Sequence, residues 1–136
     1  LKKINNFVKK RRYIANKLIN FFNKKNYYIR IQKETPQSKN SYFGIAIIVT
    51  KNRYFNRDEL VKFLNLNKIE TRPIICGNFS KQPGMAKFKY RVSGDMKNST
   101  FIEKNSFAIG CHQNLDIDEI NYIEEVFEKF FIDKKL

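Results

Sequence analysis

The chain has 136 residues, of which 42% are hydrophobic, so it is long and apolar enough to form one domain with a core and is not disordered. Lys and Arg number 27 against 13 Asp and Glu, which gives a net charge of +14. No apolar run of about 18 residues and no signal peptide is visible, so we predict a cytoplasmic protein without a membrane span.

The cysteine content excludes three kinds of structure within this chain. Cys76 and Cys111 have no partners at the spacing of a disulfide framework, a metal site or an iron–sulfur cluster, and His112 is the only histidine. We therefore expect no metal and two reduced, mostly buried thiols. The adjacent Cys111 and His112 resemble a nucleophile and its base, but neighbours in a strand point to opposite faces, so we expect a structural role for both.

The first half of the chain predicts a helix followed by a hairpin. Apolar residues recur at helical spacing in the opening segment, and the basic run at residues 9–12 then lies mainly on the solvated side. We expect this helix to dock on the domain rather than on a membrane surface. The alternation in residues 26–33 predicts a half-buried strand with Tyr27, Ile29 and Ile31 on one side. The apolar run at residues 45–49 predicts its central partner strand. The apolar residues of the opening helix are Ile4, Phe7, Val8, Ile14, Ala15, Leu18, Ile19 and Phe22.

The second half predicts shorter elements and one long helix. Asn56 and Glu59 form a capping box that starts a helix, and Asn67 is a plausible left-handed residue at its end. Short strands are expected at residues 69–72 and 106–109, with a short helix at residues 96–104 between them. Asp116 and Glu119 form a second capping box. The helix that follows has one apolar face and one acidic face: Ile120, Ile123, Phe127, Phe130 and Phe131 oppose Asp118, Glu124, Glu125 and Glu128.

This order of elements predicts an α+β fold. It is a two-layer domain with a small, mainly antiparallel sheet and with the N- and C-terminal helices packed on it. Because the first helix is basic and the last is acidic, we expect them to lie side by side and to neutralise part of the +14 charge. Exposed ion pairs of this kind are worth only about 0 to 1 kcal/mol each, so they would orient the helices rather than drive folding.

Residues 69–83 differ in composition from the Lys-, Asn-, Ile- and Phe-rich remainder. Arg72 ends a short strand, Pro73 fixes the direction in which the chain leaves it, and Gly77 allows positive φ. Arginine suits phosphates and carboxylates, while the amides of Asn78 and Gln82 suit ligands rich in hydroxyls. The segment is therefore interpreted as a binding loop for a phosphorylated or sugar-like ligand. The alternative is an ordinary structured loop with Arg72 in an ion pair.

Several stretches of the chain resemble a known family. Residues 69–73 (Ile-Glu-Thr-Arg-Pro) resemble the C-terminal small domain of the DegT/StrS superfamily of pyridoxal-phosphate-dependent sugar aminotransferases. Residues 77–83, 90–95 and 105–112 resemble its nucleotide-sugar 3-dehydratase branch, and the opening helix is similar as well. Residues 113–115 (Gln-Asn-Leu) depart from the Pro-Gly-Leu usual there, which leaves the exact substrate open.

The resemblance implies that residues 1–136 are a single C-terminal small domain. The large domain, which binds PLP or PMP, then lies outside this chain. The parent enzyme would remove the C3 hydroxyl of a nucleotide-linked 4-keto-6-deoxy sugar in deoxysugar and lipopolysaccharide biosynthesis, as a homodimer. This chain alone is expected to hold no catalytic and no cofactor-binding residue. It would help to close the active site and to bind substrate through Arg72, Asn78 and Gln82.

Three alternatives remain open from the sequence. The first is the small domain of a PLP-dependent sugar aminotransferase, which shares the fold. The second is a basic module that binds nucleic acid, with a face formed by residues 9–12, Lys24, Lys25 and Arg30. All of the net charge lies in residues 1–57, and Lys outnumbers Arg by 20 to 7, which is less typical of specific base or phosphate readers. The third is a dimerisation piece without a ligand of its own.

Overall fold

The computed structural model of the chain describes residues 2–136. Four α-helices and four strands occur in this part, and two short 3₁₀ turns, Phe79–Lys81 and Pro83–Lys87, separate β3 from α3. The predicted α+β class is confirmed. In chain order the elements are α1 (Ile4–Asn23), β1 (Ile29–Ile31), β2 (Gly44–Val49), α2 (Arg57–Leu66), β3 (Thr71–Arg72), α3 (Lys97–Asn105), β4 (Ser106–Gly110) and α4 (Ile117–Asp133).

The strands form one sheet in the order β1-β2-β4-β3, and every pairing is antiparallel. The predicted hairpin of β1 and β2 is confirmed, and β2 is a central strand as expected. The connection from β2 through α2 and β3 to β4 places β3 at the opposite edge of the sheet. This edge strand is only two residues long, so most of the segment around it belongs to loops.

The side chains on the two faces of the sheet differ in size and in burial. Ile45, Ile47 and Val49 of β2 are almost completely buried, and Ile47 lies opposite Phe107 across the β2–β4 pair. These side chains share one core with buried residues of α1, α2 and α4. The opposite face carries small side chains, since Ala46 lies opposite Ala108. Helices α1, α2 and α4 therefore cover one face. On the other face α3 lies at the end where Ser106 is buried, and Arg72 lies toward the β3 edge.

The first and last helices pack side by side, as predicted. The rings of Phe22 and Phe127 meet edge-on with their centroids 4.8 Å apart. Lys25, just after α1, pairs with Glu128 of α4 at 2.9 Å. The basic run at residues 9–12 does not follow this pattern, because Arg12 lies 3.9 Å from Glu34 instead. Aromatic packing therefore joins the helices, and charge neutralisation between them is confined to the C-terminal end of α1.

Three local predictions differ from the structure. The alternation of the first strand does not extend to Tyr27, whose side chain is 83% exposed, because Lys25 accepts turn hydrogen bonds from the amides of Tyr28 and Ile29. The left-handed residue after α2 is Lys68 and not Asn67, whose side chain donates to the Phe63 carbonyl. The predicted apolar face of α1 is buried only from Ile14 onward, whereas Ile4 and Phe7 near its start are exposed.

Both predicted capping boxes are present, and the second one allows a stability prediction. The Asp116 carboxylate accepts from the Glu119 amide at 3.0 Å, and Glu119 accepts from the Asp116 amide at 3.0 Å. We expect Asp116→Ala to lower the free energy of unfolding by about 1 kcal/mol, measured by urea denaturation. Glu125→Ala removes the same charge from an exposed site within the helix and should change it by less than about 0.5 kcal/mol. Equal effects of the two would contradict a capping role.

Candidate functional site

Arg72 lies at the exposed edge of the sheet. Its backbone pairs with Ala108, which in turn pairs with Ala46, so the three residues share the face opposite α1, α2 and α4. The side chain of Arg72 is 76% exposed. Pro73 follows at once and cannot donate a backbone hydrogen bond, so the strand ends there. The guanidinium is therefore exposed at the end of this strand, and it forms the ion pair that the sequence left open as the alternative.

Arg72 pairs with Glu70, which directly precedes β3. Glu70 Oε1 lies 2.5 Å from a terminal nitrogen of Arg72, and the Glu70 side chain is 73% exposed. An ion pair so exposed to water contributes little to stability, because solvent and salt screen it. A ligand phosphate or carboxylate can therefore replace Glu70 at low cost and use the planar fork of the guanidinium.

A groove of about 620 Å³ runs along β3 and over the start of α4. Its floor is mostly apolar, and charged groups of both signs stand at its rim. Phe43 and Tyr122 provide two aromatic side chains, of which Phe43 is 89% exposed. Aromatic faces with a few convergent polar groups are typical of sites for ring-shaped polar ligands. The residues lining the groove are Phe43, Gly44, Lys68, Ile69, Glu70, Arg72, Ala108, Ile109, Gly110, His112, Leu115, Asp118, Glu119, Tyr122 and Ile123.

Asn78 and Gln82 lie outside this groove. The Asn78 side chain is 2% exposed, donates to Thr100 Oγ1 at 2.9 Å and accepts from the Ser80 hydroxyl at 2.6 Å. The amide nitrogen of Gln82 donates to the Cys76 carbonyl at 3.0 Å. The structure thus places Arg72 in the groove and gathers the two amides in the loop that follows.

Sequence reasoning missed most of the groove-lining side chains. Phe43, Lys68 and Tyr122 come from three separate parts of the chain and carry no motif around them. In the sequence each is an ordinary loop or helix residue. They come together at one edge only because β3 pairs with β4 there. Glu70 lies within residues 69–83, and the strand predicted for residues 69–72 was the available signal that Glu70 and Arg72 share a side.

Cys111 is no activated nucleophile. Its side chain is buried, its thiol donates to the Arg11 carbonyl at 3.3 Å, and burial raises the pKa of Cys111 to about 11. A thiol with so high a pKa stays protonated near neutral pH and reacts slowly. His112 is exposed, and its Nδ1 accepts from the Asn114 amide at 3.3 Å. The structure therefore supports the expected structural reading of this pair.

The two thiols differ in exposure, which corrects the expectation that both are mostly buried. Cys76 is exposed because its loop extends from the sheet edge. We expect a disulfide exchange reagent at pH 7.5 to modify one thiol quickly and the second only after unfolding. Cys76→Ser should remove the fast phase and Cys111→Ser should retain it. Two fast phases in the native chain would show that Cys111 is accessible.

No helix within residues 2–136 is both long and apolar enough to cross a bilayer. The residues proposed for a basic face are partly engaged within the fold. Arg11 Nε donates to Gln113 at 3.0 Å, Arg12 faces Glu34, and Lys25 pairs with Glu128. These contacts divert three of the cations from a common surface for nucleic acid.

Known structures define the class of protein. The chain superimposes on the Escherichia coli GDP-4-keto-6-deoxy-D-mannose 3-dehydratase, solved with bound hydrated PLP, with a TM-score of 0.83 and 38% identity. The match covers 93% of this chain and 32% of that one. An aminotransferase from Psychrobacter cryohalolentis matches with a TM-score of 0.86 at 15% identity, over 99% of this chain and 37% of the other. This second likeness shows the fold alone, and the fold is that of the small domain of PLP enzymes.

The sequence comparisons identify the family. Residues 1–128 match the DegT/DnrJ/EryC1/StrS aminotransferase family, and the chain belongs to it. The GDP-4-keto-6-deoxy-D-mannose 3-dehydratase of Escherichia coli O55:H7 is 38% identical over 94% of this chain and 32% of its own length. The lipopolysaccharide biosynthesis protein RfbH of Salmonella typhimurium is 38% identical over 76% of this chain and 24% of its own length. The chain thus spans about a third or less of these relatives.

Proposed function

We propose that this chain is the C-terminal small domain of a PLP- or PMP-dependent nucleotide-sugar 3-dehydratase. The parent enzyme would remove the C3 hydroxyl of a nucleotide-linked 4-keto-6-deoxy sugar for deoxysugar and lipopolysaccharide biosynthesis, as a cytoplasmic homodimer. The observation that carries the proposal is 38% identity to a dehydratase along 94% of the chain. By comparison, the aminotransferases from Psychrobacter cryohalolentis and Helicobacter pylori are 15% and 19% identical to this chain.

In this proposal the chain supplies substrate contacts and part of the cleft wall. Arg72 binds a phosphate of the nucleotide, because the acid that it pairs with in the described part of the chain, Glu70, is an exposed carboxylate that a phosphate can displace. Gln82 contacts a sugar hydroxyl, since its single bond to Cys76 leaves the amide with further donor and acceptor capacity. Asn78 belongs to the same substrate-facing loop. Its amide is buried and already bonded, so it serves the site through the loop that it holds.

In this proposal the cofactor is held by the large domain and not by this chain. Within residues 2–136 the buried polar side chains are Asn78 and Ser106, and both are satisfied by internal hydrogen bonds. The cations at the groove are exposed and face an open surface. The large domain would therefore hold PLP or PMP, which supplies the amino group and electron sink that C3 deoxygenation requires. The chain alone is expected to be inactive.

The rival function is a sugar aminotransferase, and the two differ in where the amino nitrogen ends. A dehydratase supplied with glutamate returns a sugar lighter by one oxygen atom, together with 2-oxoglutarate and ammonia. An aminotransferase replaces the ketone oxygen by an amine and keeps the nitrogen in the sugar. The experiment is to incubate the full-length protein with PLP, isotopically labelled glutamate and a GDP-linked 4-keto-6-deoxy sugar, and to weigh the product.

We expect a deoxygenated sugar without label and labelled ammonia in solution. Labelled nitrogen in the sugar would establish the aminotransferase instead. No turnover of GDP-linked or dTDP-linked 4-keto sugars by the folded, PLP-loaded protein would overturn the proposal.

A further inference from the structure

The loop between β3 and α3 inverts the usual order of burial. Its apolar residues point outward, with Ile75 89% and Phe79 59% exposed, while the polar Asn78 between them is 2% exposed. A buried amide in an exposed loop needs partners, and Asn78 has them on both ends of its side chain. Its nitrogen donates to Thr100 Oγ1 of α3 at 2.9 Å, and its oxygen accepts from the Ser80 amide at 3.2 Å. The loop is therefore fastened to α3 at this point.

Gly77 allows this close approach. Its φ is +63°, a conformation that L-residues rarely adopt, and a Cβ at this position would lie 2.6 Å from Glu103 Cγ. Glu103 and Thr100 lie one turn apart on α3 and so face the same side. Gly77, Asn78 and their partners on α3 therefore form one contact, which we name the loop clasp (Gly77, Asn78, Thr100 and Glu103).

α3 is itself tied to the sheet. It ends at Asn105 and β4 begins at Ser106, whose hydroxyl donates to the Ile102 carbonyl of α3. Two residues further along β4, Ala108 pairs with Arg72. The loop is therefore connected to the sheet at two places: at its start through Arg72 of β3, and at the clasp through α3 and β4. Within the loop Gln82 follows Asn78 by one short 3₁₀ turn, Phe79–Lys81.

We propose that Asn78 is a positioning residue that sets the place of Gln82 relative to Arg72 through its bond to Thr100. This inference rests on the proposed function, because it assigns Gln82 and Arg72 to one substrate. Arg72 is held by strand pairing and should keep its place when the clasp is broken. Gln82 is held by the loop and should lose its place when the clasp is broken.

The clasp is tested first on the chain itself by hydrogen exchange of peptides from residues 74–95. Asn78→Ala and Thr100→Val each remove the bond, and we expect about tenfold faster exchange there with no change in the rest of the sheet. Thr100→Ser retains the hydroxyl and should exchange like the parent. Asn98→Ala, an exposed amide on the same helix, is the matched control. Unchanged exchange in Thr100→Val would show that the bond does not hold the loop.

The role in binding is tested on the full-length protein with two ligands. Asn78→Ala and Thr100→Val should weaken the affinity for the nucleotide-linked sugar about fivefold and leave the affinity for GDP unchanged, because only Gln82 has moved. Thr100→Ser should restore the sugar affinity. Gln82→Ala should cause the same loss, and Asn78→Ala should add nothing in that background, since both act through one contact.

The outcomes separate the two proposals. If the affinities for GDP and for the nucleotide-linked sugar fall equally, the variants have lost structure in general. If the losses in the double variant add, Asn78 and Gln82 act independently. Either result overturns the inference. If the parent protein binds no nucleotide sugar at all, the proposed function fails and the positioning role fails with it. The exchange experiment would then still report on the clasp.

Discussion

Arg72→Ala in the full-length protein should raise the KM for the nucleotide-linked sugar by about 10- to 100-fold, the cost of losing a hydrogen bond to a charged group. The guanidinium lies on the face of the sheet opposite α1, α2 and α4 and pairs with the exposed Glu70, so we expect it to be available to a phosphate. Arg72→Lys keeps the charge but loses the planar fork, and we expect an intermediate KM. Steady-state kinetics with each variant measures the effect.

Two controls separate binding from folding in the Arg72 series. Arg30 is an exposed arginine of β1, at the other edge of the same sheet, and Arg30→Ala should leave KM within about twofold. The stability of Arg72→Ala should change by less than about 0.5 kcal/mol, because the side chain is largely exposed. A KM that stays at the parent value in Arg72→Ala would remove Arg72 from the site.

Phe127→Ala should lower the free energy of unfolding of the chain by about 3 to 5 kcal/mol. The ring has no exposed surface and contacts Phe22 of α1 edge-on, so its removal leaves a cavity between the two helices. A domain of this size has a total stability of about 5 to 15 kcal/mol, so the variant approaches unfolding at room temperature. Urea denaturation followed by circular dichroism measures the change.

The chain provides a matched control for this substitution. Phe43 is 89% exposed at the groove, and Phe43→Ala should change stability by less than about 0.5 kcal/mol. Phe127→Leu retains much of the buried volume and gives a measurable value if the alanine variant does not fold. Similar losses for Phe43→Ala and Phe127→Ala would contradict the assignment of the core.

The long helix at the C-terminus was predictable in detail. Its start follows from Asp116 and Glu119, because a capping box satisfies backbone amides locally, and the predicted apolar face from Ile120 to Phe131 is buried. The central position of β2 was also predictable, since continuous apolar residues require cover. The strand position of Tyr27 and the left-handed conformation of Asn67 were predicted wrongly. At both places backbone turns form instead, in which the carbonyls of Lys25 and Asn65 accept hydrogen bonds from later amides.

The site was predictable only in part, and the reason is topological. Arg72 could be placed at a strand end from the proline that follows it. The groove could not be foreseen, because Phe43, Lys68 and Tyr122 meet only when β3 joins the far edge of the sheet. The difference between Gln82 and Asn78 was equally hidden. Both are amides in one loop, and only the position of Thr100, 22 residues away, makes one of them a buried anchor.

The amino-acid sequence by itself determined the fold class, the capped helices and the distinct character of residues 69–83, because these depend on periodicity, capping and rigid residues close together in the chain. The tertiary structure alone decided which of those residues line the groove and which hold the loop. Exposure and hydrogen-bond partners across long sequence separations depend on how the strands are ordered, and local pattern carries no record of that order.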